Sequence, residues 1–130
     1  MKILVTEQSI DPSLLSKGLR NIEADCSADI DKTDQNNLYK QIHQNKYDCI
    51  VIDDIISKNF MSAVNDTINR HTPIIIFSTN KNPNLTADVF ESIYKNGSSK
   101  SYRQLMWAIC AAARRDEKLK QKISSDKLVI

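Results

Sequence analysis

Glycine and proline are scarce in this chain: Gly18 and Gly97 are the only glycines in 130 residues, and there are three prolines. That rules out collagen-like or low-complexity character, and no Gly/Ser/Thr-rich loop follows the first strand to cradle a phosphate. Cysteine is also sparse. Cys26, Cys49 and Cys110 are an odd number, widely spaced and without a metal-ligand pattern, which suits a reducing cytoplasm better than a disulfide scaffold. No apolar run approaches the roughly 20 residues needed to span a bilayer, so neither a membrane helix nor a signal peptide is expected. A formal net charge of +2 is too small to argue for nucleic-acid binding by the chain as a whole. His43 and His71 are isolated and read as solvated.

What remains is an ordinary composition over a length that suits one domain with a real core. Its centre is residues 47–54, Tyr-Asp-Cys-Ile-Val-Ile-Asp-Asp, a short apolar run that breaks into two carboxylates. Such a run reads as a strand buried on both faces of a parallel sheet. Residues 2–6 form a first strand, 74–77 a fourth of the same purely apolar kind, and 24–30 a weaker second. Between them lie helical patterns. Asp11-Pro12 sets up a helix start, with Leu14, Leu15, Leu19 and Ile22 at helical spacing to about residue 22. Leu38 and Ile42 mark a second helix over 34–45. Phe60, Met61, Val64 and Ile68 mark a third, ended by Thr72-Pro73.

Residues 85–94 admit two readings, a short helix or a fifth strand over 89–94. The last helix is expected over 101–122, with Tyr102, Leu105, Ile109, Ala112 and Ala113 inward. A polar break follows, and residues 126–130 read as the start of another strand. The expected division is therefore a domain over 1–122 and a linker plus the beginning of a downstream domain over 123–130. Alternating strands and helices imply right-handed crossovers and a doubly wound parallel five-stranded α/β sheet.

In such sheets chemistry gathers outside the carboxyl ends of the strands. Those ends offer Glu7 and Gln8, Asp53 and Asp54, Ser78 and Thr79, and Lys95 if the fifth strand ends at Tyr94. Grouped carboxylates suit a hard cation such as Mg²⁺. A carboxylate beside that cation can attack phosphorus, with the metal and a lysine offsetting the phosphoryl charge.

These residues resemble the receiver domain of bacterial two-component response regulators, over roughly residues 2–115. The resemblance implies a flavodoxin-like (βα)5 fold and a signalling role rather than an enzyme. It places the phosphoacceptor at Asp53, the switch residues at Ser78 and Lys95, and a metal site at Glu7 and Asp53. Residues 114–130 look like the linker and first strand of a winged-helix DNA-binding domain, which implies transcription control through DNA contacts beyond residue 130. The partners this implies are a histidine kinase and a second copy of the chain, docked through the last helix at Arg103, Trp107, Arg114 and Arg115. No membrane partner is expected.

The departures from the family pattern all fall on the activation machinery. Gln8 stands where the second acid is usual, so the site loses a charge and is expected to hold no cofactor or only weak Mg²⁺. Asn96 stands where the family has a cis proline. The interval from Ser78 to Lys95 is short, which implies an abbreviated or missing fourth helix, and the segment after Asp53 lacks the usual proline and glycine. The reading is an atypical receiver with impaired or absent phosphorylation of Asp53. A conventional Mg²⁺-dependent phosphoacceptor is the alternative, and a flavodoxin-like cofactor-binding domain is a second alternative.

Overall fold

A computed structural model of the chain describes residues 1–6, 10–22, 27–53, 57–79 and 89–128, with side chains at all of these except 35, 57–59, 61 and 115–128. Strands and helices alternate: β1 (Lys2–Val5), α1 (Pro12–Ile22), β2 (Asp29–Lys32), α2 (Gln35–Gln44), β3 (Cys49–Ile52), α3 (Ser57–Val64), β4 (Ile74–Ser78), β5 (Glu91–Tyr94) and α4 (Ser99–Leu128). The five strands are parallel and lie in the order β2-β1-β3-β4-β5. The expected doubly wound sheet is therefore present. Among the described residues it carries four helices and none between β4 and β5, where residues 80–88 lie outside the described set.

Two apolar layers flank the sheet because side chains alternate along each strand. On one face Ile3, Val5, Cys49, Val51, Ile75 and Phe77 meet Leu15 and Leu19 of α1 and Leu105, Ile109 and Ala112 of α4. On the other face Leu4, Ile50, Ile52, Ile74 and Ile76 meet Leu38, Ile42, Phe60 and Val64. β3 and β4 are buried at every residue, as their unbroken apolar runs require.

Helix starts follow the local chemistry. Asp11 Oδ1 accepts the Ser13 N–H at 2.9 Å ahead of Pro12, and Asp34 Oδ1 accepts the Asn37 N–H at 2.9 Å to cap α2. Gly18 makes room for the Met106 side chain of α4. A Cβ there would overlap Met106 Sδ.

Several expectations are corrected. Leu14 is exposed, because Leu15, Leu19 and Ile22 already form the inward stripe at i, i+4 and i+7 and Leu14 falls off it. β2 begins at Asp29, later than the sequence pattern places it. α3 ends at Val64 and not at Thr72-Pro73, which leaves Ile68 exposed. Its stop is local: Thr67 Oγ1 donates to the Val64 carbonyl at 2.8 Å and accepts the Asn69 N–H at 3.0 Å, so side chain competes with helix. The ambiguous 85–94 segment contains a strand, β5; residues 85–88 lie outside the described set. Finally, α4 is helical to Leu128, past the expected end at residue 122. Residues 113–123 are nearly all strong helix formers, and no glycine or proline follows to stop them, so residues 126–128, read in the sequence as the start of a strand, lie in this helix, and 129–130 lie outside the described set.

Candidate functional site

Strand order reverses between β1 and β3. α1 carries the chain outward to β2, and α2 carries it back across β1 to β3. The crevice of an open α/β sheet forms at that switch point, outside the carboxyl ends. Its floor is tight: the Thr6 N–H donates to the Val51 carbonyl at 3.1 Å, tying the end of β1 to β3.

Asp53 follows directly on β3 and is half-buried. The register Ile52↔Ile76 sets it beside Phe77 at the end of β4. Ser78 closes β4 and is only 3% exposed. Its register partner is Tyr94, so Lys95 stands one residue past the end of β5, and the Lys95 N–H donates to the Ser78 carbonyl at 2.7 Å. The Lys95 ammonium lies 6.0 Å from the centre of the Phe77 ring, which turns it back across β4 toward the Asp53 register. Three of the residues picked out in the sequence, a carboxylate, a hydroxyl and an ammonium, thus share one edge on three neighbouring strands. Glu7, Gln8 and Asp54 lie outside the described residues. Among the described residues no group of three or more His, Cys, Asp or Glu side chains gathers for a metal. Of the expected metal site, Asp53 is described and Glu7 is not.

The fold is matched by solved structures. A response regulator from Hahella chejuensis superposes with a TM-score of 0.59 at 22% identity, over 83% of this chain and 90% of its own. The orphan response regulator HP1043 of H. pylori gives 0.56 at 21%, over 87% and 96%. The chemotaxis response regulator CheY4 of Vibrio cholerae gives 0.55 at 16%, over 83% and 97%. The chain has the receiver fold. No protein-family model matches the sequence, and no curated protein matches it either.

Within this receiver fold the turn after Lys95 is built without proline. Asn96 Oδ1 accepts the Ser98 N–H at 2.9 Å, Gly97 takes φ +80°, and Ser101 Oγ donates to the Ser98 carbonyl at 2.9 Å as α4 begins. Gly97 is needed here, since an L side chain rarely adopts that φ. No cis peptide bond occurs among the described residues.

On α4, Arg103, Trp107 and Arg114 are all exposed. Spaced by four and seven residues, they form one stripe opposite Leu105, Ile109 and Ala112. The side chain of Arg115 lies outside the described set. His43 and His71 are exposed, and Cys49 and Cys110 are buried. No helix among the described residues is long and apolar enough to cross a membrane.

Sequence reading missed a buried polar group at the opposite edge of the sheet. Asn69 is fully buried; its Oδ1 accepts the Tyr47 N–H at 2.8 Å and its Nδ2 donates to the Ile42 and Asn45 carbonyls, both at 2.7 Å. Thr72 Oγ1 joins it at 3.1 Å and is itself reached by Lys46 Nζ at 2.8 Å. Nothing in the polar stretch around Asn69 sets it apart from surface residues.

Proposed function

We propose that this chain is an atypical receiver domain that controls a DNA-binding transcription regulator through dimerisation or protein contacts, with phosphorylation of Asp53 impaired or absent. It acts in the cytoplasm as a signalling module rather than an enzyme. The observation that carries the reading is the alignment of Asp53, Ser78 and Lys95 along the carboxyl edge of β3, β4 and β5. A phosphoacceptor, a hydroxyl that follows the phosphoryl group and a lysine that offsets its charge need that relation to one another. The impairment follows from Gln8, an amide in place of the second acid. Mg²⁺ at Asp53 and Glu7 then faces one charge fewer and binds weakly.

Output in this reading runs through a homodimer across Arg103, Trp107, Arg114 and Arg115 of α4. The long α4 would then be a helical connector toward a DNA-binding domain beyond residue 130. The same alignment also favours a second reading. Asp53, Ser78 and Lys95 are all retained in relation to one another, as a conventional Mg²⁺-dependent phosphoacceptor served by a histidine kinase requires.

The test is intact mass after incubation with Mg²⁺ and acetyl phosphate. The proposed reading expects no adduct on a protein that is folded and dimeric. A single phosphoryl adduct that disappears in Asp53→Ala overturns it in favour of the conventional switch.

A further inference from the structure

The far side of the sheet, away from Lys95, carries an edge that the receiver reading does not use. β2 ends the sheet and pairs only with β1 among the described residues. The Asp29 and Thr33 N–H groups donate to the Met1 and Val5 carbonyls at 2.7 and 2.9 Å. In a parallel strand alternate residues face alternate sides, so Ala28 and Ile30 turn their peptide groups outward. Beside them is a groove of about 380 Å³ between α1 and β2, with Ala28 and Ile30 on one wall and Ser16, Lys17 and Arg20 on the other. Among the described residues, both charged side chains lining it are basic. Asp31 of β2 does not answer them: its carboxylate accepts the Tyr47 hydroxyl at 3.0 Å on the opposite face of the sheet, where Tyr47 packs with α2 and α3 residues.

We propose that this edge accepts an extended acidic segment of a partner protein as a sixth strand, its carboxylates facing Lys17 and Arg20. Main-chain pairing along β2 supplies affinity, and the two cations select the side chains that project over the groove. A second copy of the chain does not fit. Outward-facing residues pair with outward-facing residues in an antiparallel ladder, so Ile30 opposite Ile30 sets Asp29 against Asp31. Ile30 opposite Lys32 sets Asp31 against Asp31, and Ile30 opposite Ala28 sets Asp29 against Asp29. Each of these three antiparallel registers opposes like charges, which destabilises the pair.

The test titrates the isotope-labelled protein with a synthetic decapeptide of alternating valine and glutamate, using a valine–lysine decapeptide as control. Amide hydrogen exchange is followed residue by residue. The valine–glutamate peptide is expected to slow exchange at Ile30 while leaving Asp29 and Asp31, already turned toward β1, unchanged. A Lys17→Glu, Arg20→Glu double variant should bind about tenfold more weakly, one factor of ten being about 1.4 kcal/mol. Unaltered exchange in Cys49–Ile52 shows that this variant is folded. Protection absent from Ile30 at the highest peptide concentration, or equal binding of the valine–lysine peptide, overturns the proposal. Neither result touches the Asp53 edge, so failure here leaves the receiver reading standing.

Discussion

The side-chain amide of Asn69 accepts the peptide N–H of Tyr47 at 2.8 Å, across 22 residues of chain, and so fixes the entry into β3 from the turn before β4. The same amide donates to two carbonyls at the end of α2. All of this happens at zero exposure. Asn69→Ala leaves a buried N–H, the buried Ile42 carbonyl and the part-buried Asn45 carbonyl without their partner, at about 1–3 kcal/mol for each group that water cannot reach. The expected loss is roughly 3 kcal/mol in urea unfolding, against less than about 0.5 kcal/mol for the exposed Asn65→Ala. Equal midpoints for the two variants would show that the network does not hold the edge.

The contrast between Asn69 and Asp53 shows what a sequence displays. β3 and β4 are central strands covered on both faces, so their apolar runs are unbroken and their ends stand out as abrupt changes to Asp53 and Ser78. Lys95 became legible only once β5 ended at Tyr94, because Glu91–Tyr94 is an edge strand with two exposed residues and a weak pattern. Leu14 was misjudged because a helix face is narrow and one residue off the stripe is already in water. The end of α3 was hidden because Thr67 stops it by a bond to its own backbone, which apolar spacing does not report. Asn69 was invisible for a related reason. A buried amide satisfied by three main-chain groups has the same letter as a surface one.

Cys49 provides a pH test. Burial, followed by the nearby Asp48 carboxylate, pushes its thiol well above the ordinary range. The folded chain therefore holds this proton after the unfolded chain, with a thiol pKa near 8.5, has released it. The contribution to stability is complete below about pH 8.5 and is lost as pH rises from there toward the folded value, by up to about 1.4 kcal/mol per pH unit. Cys49→Ala removes that dependence. The gap in unfolding free energy between wild type and variant should narrow steadily between about pH 8.5 and 10, before Tyr47, also raised chiefly by burial, begins to contribute. Parallel curves over that interval would mean that the thiol is not buried as described.

Trp107 is the only tryptophan and is 54% exposed on α4, which makes it both the centre of the proposed dimer and its reporter. A half-exposed indole in a dilute monomer is open to acrylamide quenching; the same indole at the centre of an interface is covered. Quenching should therefore fall as protein concentration rises, in step with the dimer fraction from sedimentation. Trp107→Glu should weaken dimerisation by about 2 kcal/mol or more, the scale of a central aromatic anchor. As an exposed substitution it should leave the unfolding free energy of the dilute monomer within about 0.5 kcal/mol. A dimer that forms with unchanged quenching places the interface elsewhere on the molecule. No dimer at any concentration removes dimerisation from the proposed function and leaves contacts with another protein as the only route for the signal.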